Sequence, residues 1–266
     1  MIPHFSLDTH HIKSQLTSDC LALISVLDVF DSIDSTNRYL MTQAQNNAPS
    51  GAVCFTDSQT AGKGRQGRQW VSPQGANIYG SFLWQFSSVV QLNGLSLAIG
   101  VGVVRVLQKY GIDNVGLKWP NDIYSEGKKL GGILIEVTSR VDGKATAVIG
   151  LGLNVDLPPN IDSITQAYTD LKTIAPHITL ERNTLIAQLL NELIPLTASF
   201  GTLGLAAYVN EWRRYDCLQG KVATLYVGKQ AIEGMILGID DNGLLKLQQS
   251  NGEKNVFASG EVSFSQ

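Results

Sequence analysis

The sequence predicts an α/β protein of the α+β type, with a large mixed-sheet domain followed by a small β-rich domain. Of the 266 residues, 44% are apolar and only 16% are charged, which is enough to bury a sizeable core. Up to about residue 216, β-branched runs alternate with stretches of helical periodicity. Later β runs are separated only by turns. We therefore predict domains over residues 1–216 and 217–266.

A lead-in segment of residues 1–30 precedes the first predicted element. Asp34 and Ser35 carry side-chain oxygens of the kind that cap helix N-termini, which predicts a short helix over residues 36–46. Two strands are predicted next, over residues 51–56 and 77–86, because each is an apolar run or an alternating run between turn residues.

Longer helices and further strands complete the predicted first domain. A helix is predicted over residues 95–110, with Asn93 near its start and Gly111 as its C-cap. Apolar spacing predicts another helix from Asn183, which Pro195 is expected to kink or end. The remaining elements are strands over residues 115–119, 130–137 and 145–155 and a helix over residues 205–215.

The C-terminal region predicts a small antiparallel barrel. Four short β runs cover residues 222–227, 232–239, 244–248 and 255–258. The turns between them contain Gly228, Gly243 and Gly252, and closely spaced turns of this kind are typical of hairpins.

Composition excludes several classes of protein. Lys and Arg number 20 against 23 Asp and Glu, so the chain lacks the positive excess of a dedicated nucleic-acid binder. Three separated cysteines and no metal-binding His spacing indicate a cytosolic protein without structural zinc. The start is not a secretory signal, and the apolar runs at residues 21–27 and 95–107 are expected to be too short or too interrupted to span a membrane. We therefore expect a soluble, cytoplasmic protein.

The loop AGKGRQGRQW, residues 61–70, is the first candidate binding element. Gly62, Gly64 and Gly67 have the G-x-G-x-x-G spacing of a dinucleotide fingerprint, but no amphipathic helix follows, so that interpretation fails. Three cations remain beside the glycines, Lys63, Arg65 and Arg68, and Trp70 closes the loop. Such a loop favours an anionic ligand with a flat organic group, and a solvated basic loop is the alternative.

A second candidate element reads KWPND, residues 118–122. Because Pro120 favours an extended Trp119 and the next two residues favour a turn, Lys118, Asn121 and Asp122 are expected to project from a strand end. A turn that serves only the backbone is the alternative for Asn121 and Asp122.

Together these segments resemble the biotin protein ligases, which join biotin to a lysine of a carrier domain through biotinyl-5'-AMP. The matching motifs are DSTN at residues 34–37, QTAGKGRQGRQW at 59–70, KWPND at 118–122, KLGGILIE at 129–136 and IGLGLN at 149–154. The resemblance runs from about residue 30 to the end. It implies a mixed-sheet biotin/lipoate ligase-like catalytic domain with an SH3-like C-terminal barrel.

The resemblance also implies a biotin site. The positions of Ser35, Thr36 and Gln59 are expected to hold the ureido ring, although helix capping is a compatible role for Ser35. Lys129 is expected on the reacting carboxylate. The full implied set is Ser35, Thr36, Asn37, Gln59, Gly62, Lys63, Gly64, Arg65, Lys129 and Gly132.

ATP and Mg²⁺ are implied as co-substrate and cofactor. The implied ATP or adenylate ligands are Arg65, Arg68, Trp70, Lys118, Asn121 and Asn154. A carboxylate and a triphosphate about 4 Å apart repel by roughly 4 kcal/mol per pair of unit charges at an effective dielectric constant of 20. Mg²⁺ and the cations Arg65, Arg68, Lys118 and Lys129 would offset that repulsion, and Lys129, Arg65 and Asp122 are the implied catalytic residues.

Asp122 has two candidate roles. The carrier lysine must attack as a free amine, and Asp122 is the carboxylate in these motifs that could orient or deprotonate it. The alternative role is Mg²⁺ ligation during adenylation. The implied partner is the biotin carboxyl carrier protein of acetyl-CoA carboxylase or a related enzyme. Nucleic acid and membrane are not expected as partners, and the sequence leaves a homodimer open.

Two departures from the family pattern affect these expectations. Lys63 stands where many members carry Arg, so a bidentate contact is lost and the adenylate is expected to be held less tightly. Some bacterial members carry an N-terminal helix-turn-helix domain of about sixty residues and repress biotin synthesis. Only about 30 residues precede Asp34 here, and the sequence therefore favours a monofunctional ligase.

Three competing functions fit the sequence less well. Lipoate-protein ligases share the fold and the adenylation chemistry, but their R-R-x-x-G-G-G type of loop is absent from this sequence. A biotin-responsive DNA-binding regulator would need a recognition module and positive charge. An inactive carrier-binding homologue is disfavoured because Lys129, Arg65 and Asp122 are all present.

Overall fold

The lead-in segment forms two short helices in a computed structural model, which describes residues 6–139, 143–158 and 161–264. The helices are α1 (Thr9–Ser14), capped by Asp8, and α2 (Ser18–Leu23), capped by Thr17. Residues 1–5 of the predicted lead-in lie outside the described residues. The lead-in docks through side-chain hydrogen bonds such as Thr17 N–H to Asn191 Oδ1, 2.8 Å.

A seven-stranded mixed sheet follows, in agreement with the predicted fold class. Its spatial order is β1-β2-β3-β7-β6-β5-β4, in which β1 and β2 are parallel and every other neighbouring pair is antiparallel. Strands β1 and β5 were not predicted. The strands are β1 (Val26–Phe30), β2 (Ala52–Thr56), β3 (Asn77–Phe86), β4 (Gly116–Lys118), β5 (Asp122–Ser125), β6 (Lys128–Ser139) and β7 (Ala145–Asn154).

Helices cover the two faces of this sheet differently. Helix α3 (Thr36–Gln45) contacts β2, β3, β6 and β7, and packs Leu40 over Leu83 and Val148 in a small apolar cluster of its own. Helices α4 (Leu95–Lys109) and α6 (Arg182–Leu203) pack against each other and against the sheet in the main core. The two shorter helices are α5 (Leu171–Ile174) and α7 (Val209–Tyr215).

Two sequence predictions for helices need correction. Of the two outcomes expected at Pro195, a helix end is wrong: α6 continues past it, because buried residues such as Leu196 and Phe200 favour continuation despite the lost backbone donor. The stretch Val89–Lys109 is long and apolar enough to cross a membrane by length and composition, contrary to the expectation for the apolar runs. A 3₁₀ turn, Val89–Leu92, lengthens it beyond α4, and α4 buries its apolar side chains in the core.

The C-terminal residues form a five-stranded antiparallel sheet, as the predicted SH3-like part requires. Its order is β11-β10-β9-β8-β12, and within the described residues no pairing joins β11 to β12. Strand β12 was not predicted. The strands are β8 (Val222–Val227), β9 (Gln230–Ile239), β10 (Leu245–Gln248), β11 (Lys254–Phe257) and β12 (Glu261–Phe264).

The two sheets share one hydrophobic core. Leu225, Ile236 and Val262 of the C-terminal sheet belong to the same buried cluster as the main-sheet residues. The indole N–H of Trp119 donates to Gly243 O at 3.0 Å across the junction. The C-terminal sheet is therefore held close to the KWPND segment.

Candidate active site

One face of the large sheet presents the site residues in rows set by strand register. Residues that pair across neighbouring strands lie on the same face of a sheet. The first row therefore contains Ser81 on β3, Gly150 on β7 and Leu134 on β6. The next row runs from Tyr79 through Gly152 and Gly132 to Asp122, and the last joins Asn77 to Asn154. The opposite face carries the core under α4 and α6.

A cavity of about 470 Å³ lies on this face. It brings together segments that are far apart in the chain, as the motif analysis predicted. The predicted site residues that line it are Ser35, Thr36, Asn37, Gln59, Lys63, Gly64, Arg65, Arg68, Trp70, Asn121, Asp122, Lys129, Gly132 and Asn154. Gly62 and Lys118 are the two predicted site residues that are not among the described lining residues.

The start of α3 forms one end of the cavity. Ser35 is 1% exposed, and its Oγ accepts from the Arg38 N–H at 3.4 Å, so the capping role is present. The Thr36 N–H donates to Gln59 Oε1 at 3.0 Å, and Gln59 Nε2 donates to Ser72 Oγ at 3.0 Å. These bonds fix the Gln59 amide with its oxygen toward α3.

Asn37 lies under this end and is 4% exposed. Its Nδ2 donates to Glu136 Oε2 at 2.8 Å and to Leu134 O at 3.3 Å. A Cβ on Gly150 would come within 2.2 Å of Asn37 Oδ1, so this glycine provides the space for the Asn37 side chain. Packing against Asn37 thus explains why the first glycine of the IGLGLN motif, Gly150, carries no side chain.

The cationic loop covers the cavity as a closed turn. Gly64 N–H donates to Arg68 O at 2.6 Å, and Trp70 N–H donates to Gly62 O at 2.9 Å, which closes the turn at its base. Only a 3₁₀ turn, Arg65–Gly67, lies between them. The prediction that no helix follows these glycines is confirmed, which excludes the dinucleotide fingerprint geometry.

The two loop arginines connect the loop to the rest of the protein. Arg65 Nη1 donates to Asn121 Oδ1 at 2.9 Å, and its Nη2 donates to Gly260 O at 3.4 Å in the turn before β12. Arg68 forms an ion pair with Glu261. Burial lowers the pKa of the Arg65 guanidinium, while the charge of Asp122 acts in the opposite direction.

Trp70 lies across the middle of the sheet face. A Cβ on Gly152 would come within 2.5 Å of the indole, so only glycine leaves room for this ring. Gly132 is close to Trp70, Lys129 and Asp122, since a Cβ on this glycine would lie 3.3–3.4 Å from each of those side chains. Within the described residues, the buried Trp70 Nε1 has no hydrogen-bond partner, which leaves it free to donate to a ligand in the cavity.

Lys129 and Asp122 form the charged centre of the cavity floor. Their Nζ and Oδ1 atoms are 2.8 Å apart, and the side chains are 13% and 16% exposed. Lys129 Nζ also lies 5.4 Å from the Trp70 ring centroid. The Lys129 backbone is held by Ala167 O and by the Thr169 N–H, so the ammonium projects from a fixed strand.

Two asparagines on the floor have defined partners. Asn121 Nδ2 donates to Ile133 O at 2.7 Å while its Oδ1 accepts from Arg65, so a purely local turn role does not account for it. Asn154 Nδ2 donates to Thr169 O at 2.9 Å, and Asn77 Nδ2 donates to Asn154 Oδ1 at 3.4 Å. Both amides therefore have fixed orientations.

Lys118 pairs with Asp122 across β4 and β5 and so lies on the same face of the sheet, although it is not among the described lining residues of the cavity. It is 8% exposed, and its Nζ donates to Tyr124 Oη at 3.3 Å and lies 5.6 Å from the Phe264 ring centroid. Burial lowers the pKa of its ammonium, against the opposing effect of Asp122. The ammonium therefore lies at the junction with β12, next to the row of residues that ends at Asp122.

Several lining or supporting residues were not singled out from the sequence. Ser81 looks like an ordinary strand residue, Glu136 ends the KLGGILIE motif but was assigned no role, and Glu261 belongs to a strand that was not predicted. The alternation of strand residues could have indicated Ser81, but the long-range contacts of Glu136 and Glu261 have no local signal. The further unpredicted lining residues include Tyr79, Leu134, Leu151, Ser163, Ile164 and Tyr168.

Comparison with known proteins places this site in a family. The profile of the Biotin/lipoate A/B protein ligase family matches residues 29–154, and that of the Biotin protein ligase C terminal domain matches residues 222–265. The Bifunctional ligase/repressor BirA of Escherichia coli is 38% identical over 259 residues, which is 97% of this chain and 78% of that protein. The chain belongs to the biotin protein ligase family.

Other biotin protein ligases agree in sequence and in fold. The Biotin--[acetyl-CoA-carboxylase] ligase of Mycobacterium tuberculosis is 34% identical, over 89% of this chain and 88% of that protein. The solved biotin protein ligase from Aquifex aeolicus in complex with biotin and ATP superposes with a TM-score of 0.76 at 26% identity, covering 90% of this chain and 98% of that one. As a biotin protein ligase family member, the protein is a ligase enzyme.

Proposed function

We propose that the protein activates biotin with ATP as biotinyl-5'-AMP and transfers the biotinyl group to a lysine of a biotin carboxyl carrier protein. The observation that carries the proposal is the shape of one cavity. Hydrogen-bonding side chains at the start of α3 occupy one end, and the Lys129–Asp122 pair lies on the floor beneath a cationic loop. A ligand with a polar ring and a carboxylate suits the two parts.

Biotin has this form. Its ureido ring carries two N–H donors and a carbonyl, and Thr36 Oγ1 and Gln59 Oε1 supply acceptors for it. Its valeryl chain would run past Gly132 and Trp70 toward Lys129. The relatives support this assignment, since the Aquifex aeolicus structure contains biotin and ATP.

In the first step, a carboxylate oxygen of biotin forms a bond to the α-phosphorus of ATP, and the bond from that phosphorus to the pyrophosphate oxygen breaks. Lys129 and Arg65 would offset the repulsion between the carboxylate and the phosphates. Because both side chains are partly or largely shielded from water, their charges act more strongly than exposed cations would.

The residues present fit Mg²⁺ held mainly by ATP. Among the described residues no cluster of three or more His, Cys, Asp or Glu side chains forms a metal cage. Mg²⁺ is commonly bound by one or two carboxylates together with substrate phosphates, and Asp122 would supply such a carboxylate. Bound there, the ion would neutralise charge on the phosphate oxygens.

In the second step, the carrier lysine nitrogen attacks the carbonyl carbon of the mixed anhydride, AMP leaves, and the amine loses a proton. At an unperturbed pKa near 10.4, only about one lysine in a thousand is neutral at pH 7.4. Asp122 would orient or accept a proton from that amine. Loop residues Arg65 and Arg68 would retain the adenylate until the carrier arrives.

The test is direct. The protein is incubated with ATP, Mg²⁺ and either biotin or lipoate, and the pyrophosphate and the adenylate formed are measured. Biotin-dependent pyrophosphate release followed by labelling of the carrier is expected. Release with lipoate alone would instead support a lipoate-protein ligase, and no release with either substrate would contradict an adenylating enzyme.

The proposal extends to partners and cellular setting. The carrier protein of acetyl-CoA carboxylase or of a related biotin-dependent enzyme is the proposed acceptor. We also propose a cytoplasmic location, with residues 1–216 as the catalytic domain and 217–266 as the C-terminal domain. The cysteines support the location, because Cys20, Cys54 and Cys217 are free thiols.

A further inference from the structure

A continuous chain of polar residues lies beneath the end of the cavity that is formed by the start of α3, and it connects the two sides of the cationic loop. It begins at Ser72, just after the loop, and ends at Lys63, inside the loop. Its members in spatial order are Ser72, Gln59, Thr36, Ser81, Asn37, Glu136 and Lys63, and the link from Gln59 to Thr36 is the bond from the Thr36 backbone N–H. Ser81 lies outside the sequence motifs, and Glu136 ends the KLGGILIE motif but was assigned no role in the ligand site.

Glu136 determines the direction of hydrogen bonding at the buried part of this chain. A carboxylate only accepts, and its Oε2 is 2.8 Å from the Asn37 amide, so the nitrogen of that amide must face it. The carbonyl of Leu134 at 3.3 Å requires the same orientation. Asn37 Oδ1 therefore faces Ser81.

The hydroxyl hydrogens follow from this amide. Ser81 Oγ is 2.6 Å from Asn37 Oδ1, which cannot donate, so Ser81 gives its only hydrogen to Asn37. The contact of 2.7 Å between Ser81 Oγ and Thr36 Oγ1 then requires the hydrogen of Thr36. Thr36 is left with lone pairs, and it presents an acceptor to the cavity.

Glu136 also contacts the loop. Its second oxygen, Oε1, lies 3.6 Å from Lys63 Nζ, and the two side chains are 28% and 41% exposed. An exposed ion pair alone contributes about 0–1 kcal/mol. Here the same carboxylate also fixes the amide of Asn37, which is nearly fully buried. A movement of Glu136 toward or away from Lys63 would therefore change the hydrogen bonds of Asn37.

We infer that Glu136 and Lys63 are positioning residues that couple binding of the biotin ring to closure of the cationic loop. Glu136 keeps Thr36 an acceptor for a ring N–H group, and its pairing with Lys63 ties the loop to that arrangement. This inference rests on the proposed function. On this inference Lys63 acts on biotin binding as the partner of Glu136.

The experiment is a double-mutant cycle with Glu136→Gln and Lys63→Gln, measured by calorimetric titration of biotin and by KM for biotin and for ATP. Each single variant is expected to bind biotin about tenfold more weakly, because each removes the charge from a charge-assisted contact. KM for ATP and the melting temperature should stay close to wild type. The double variant should bind no more weakly than the weaker single variant, since both changes break the same link.

Two variants serve as controls. Lys63→Arg keeps the charge and should retain wild-type affinity for biotin. Asp241→Asn removes the carboxylate of an exposed ion pair with Arg213 that does not line the cavity, and it should change neither KM. If Glu136→Gln does not fold, the comparison of Lys63→Gln with Lys63→Arg tests the coupling instead.

The inference is overturned if the two losses multiply in the double variant, if KM for ATP rises as much as KM for biotin, or if Lys63→Arg binds biotin as weakly as Lys63→Gln. Wild-type protein that binds biotin but releases no pyrophosphate would refute the proposed reaction and leave the binding cycle interpretable. Wild-type protein that does not bind biotin would refute both.

Discussion

The ammonium of Lys129 lies 2.8 Å from Oδ1 of Asp122 on the floor of the cavity. Both side chains come from neighbouring antiparallel strands, with Asp122 at the start of β5 and Lys129 on β6. Removing one charge of a shielded pair leaves the other without compensation. The pair therefore links the two steps of the proposed reaction, because any ligand that draws Lys129 toward a phosphate also frees Asp122.

Lys129→Ala is expected to reduce adenylation by at least about a hundredfold with the fold intact, because the cation offsets charge on the reacting oxygens. Biotin-dependent pyrophosphate release measures this, and circular dichroism checks the fold. Lys128→Ala is the matched control, since Lys128 is the exposed neighbour on the same strand. Near wild-type release from folded Lys129→Ala would show that the cation is dispensable.

Arg65→Gly is expected to adenylate biotin but to release biotinyl-5'-AMP early. The change removes the contacts of the guanidinium to Asn121 and Gly260, which hold the loop to the floor and to the C-terminal sheet. The measurement is labelling of a bystander protein, which should rise severalfold, while Lys229→Gly in the β8–β9 turn should leave it unchanged. Retention equal to wild type would contradict the role assigned to Arg65.

The predicted fold depended on elements with strong local patterns. The strand Asn77–Phe86 and the start of α3 follow from alternation and capping, and the structure has them at the predicted bounds or within one residue. Helices α1 and α2 have only six residues each, too few to show a helical period. Their stability comes from contacts with α6, which have no signal in the lead-in itself.

The site residues that lie within sequence motifs could be predicted, because each motif can be recognised on its own. Lys129 and Asp122 come from separate motifs, and an irregularity in the β5–β6 pairing, between Ile123 and Tyr124, brings both side chains to one face. Lys118 pairs with Asp122 and so lies on the same face of the sheet, but its ammonium contacts Tyr124 and Phe264, and that contact with the second sheet has no local signal. The involvement of Gly260 and Glu261 depends on how the second sheet docks, which no local pattern specifies.

Asp216→Asn is expected to stabilise the protein at neutral pH. Asp216 Oδ1 accepts from the Leu218 N–H at 2.8 Å, whereas Oδ2 is buried and, in the described part of the chain, has no hydrogen-bond partner. Burial raises the pKa of this carboxyl from 3.8, against the opposing effect of the Leu218 hydrogen bond. A neutral amide removes the cost of burying the charge.

The pH window follows from the direction of that shift. Because the folded-state pKa is the higher one, the stability contributed by Asp216 is complete below the unfolded value of 3.8 and is lost as pH rises through the folded value. The gain in Asp216→Asn should therefore be present at pH 7 and vanish below about pH 4 in urea unfolding. Asp113→Asn, at an exposed site, should show no such gain.

The protein is expected not to bind DNA sequence-specifically, although its Escherichia coli relative is a ligase and repressor. The formal net charge is −3, and phosphate contacts require clustered Lys and Arg. Electrophoretic retardation of the promoter of biotin-synthesis genes, with and without biotin and ATP, tests this at physiological salt. A shifted band that survives competitor DNA would overturn the expectation, and the relative provides the positive control.

Asp122→Asn separates the two roles proposed for this carboxylate. The variant is supplied with preformed biotinyl-5'-AMP and carrier protein in the presence of a chelator, so that neither adenylation nor Mg²⁺ is required. If Asp122 orients or deprotonates the carrier lysine, single-turnover transfer should slow by about two orders of magnitude, which is the usual contribution of a general base.

If Asp122 binds only Mg²⁺, the rates of transfer and of adenylation should change differently. A carboxylate that serves only Mg²⁺ would leave transfer from preformed adenylate at the wild-type rate and would slow pyrophosphate release in the forward reaction. Lys129→Ala, tested in the same transfer assay, controls for loss of the ion pair, because it also leaves its partner without compensation. Slow transfer in Asp122→Asn together with faster transfer in Lys129→Ala assigns the effect to the carboxylate itself. Equal slowing in both variants would assign it to the broken pair, and normal transfer in Asp122→Asn would leave only the metal role.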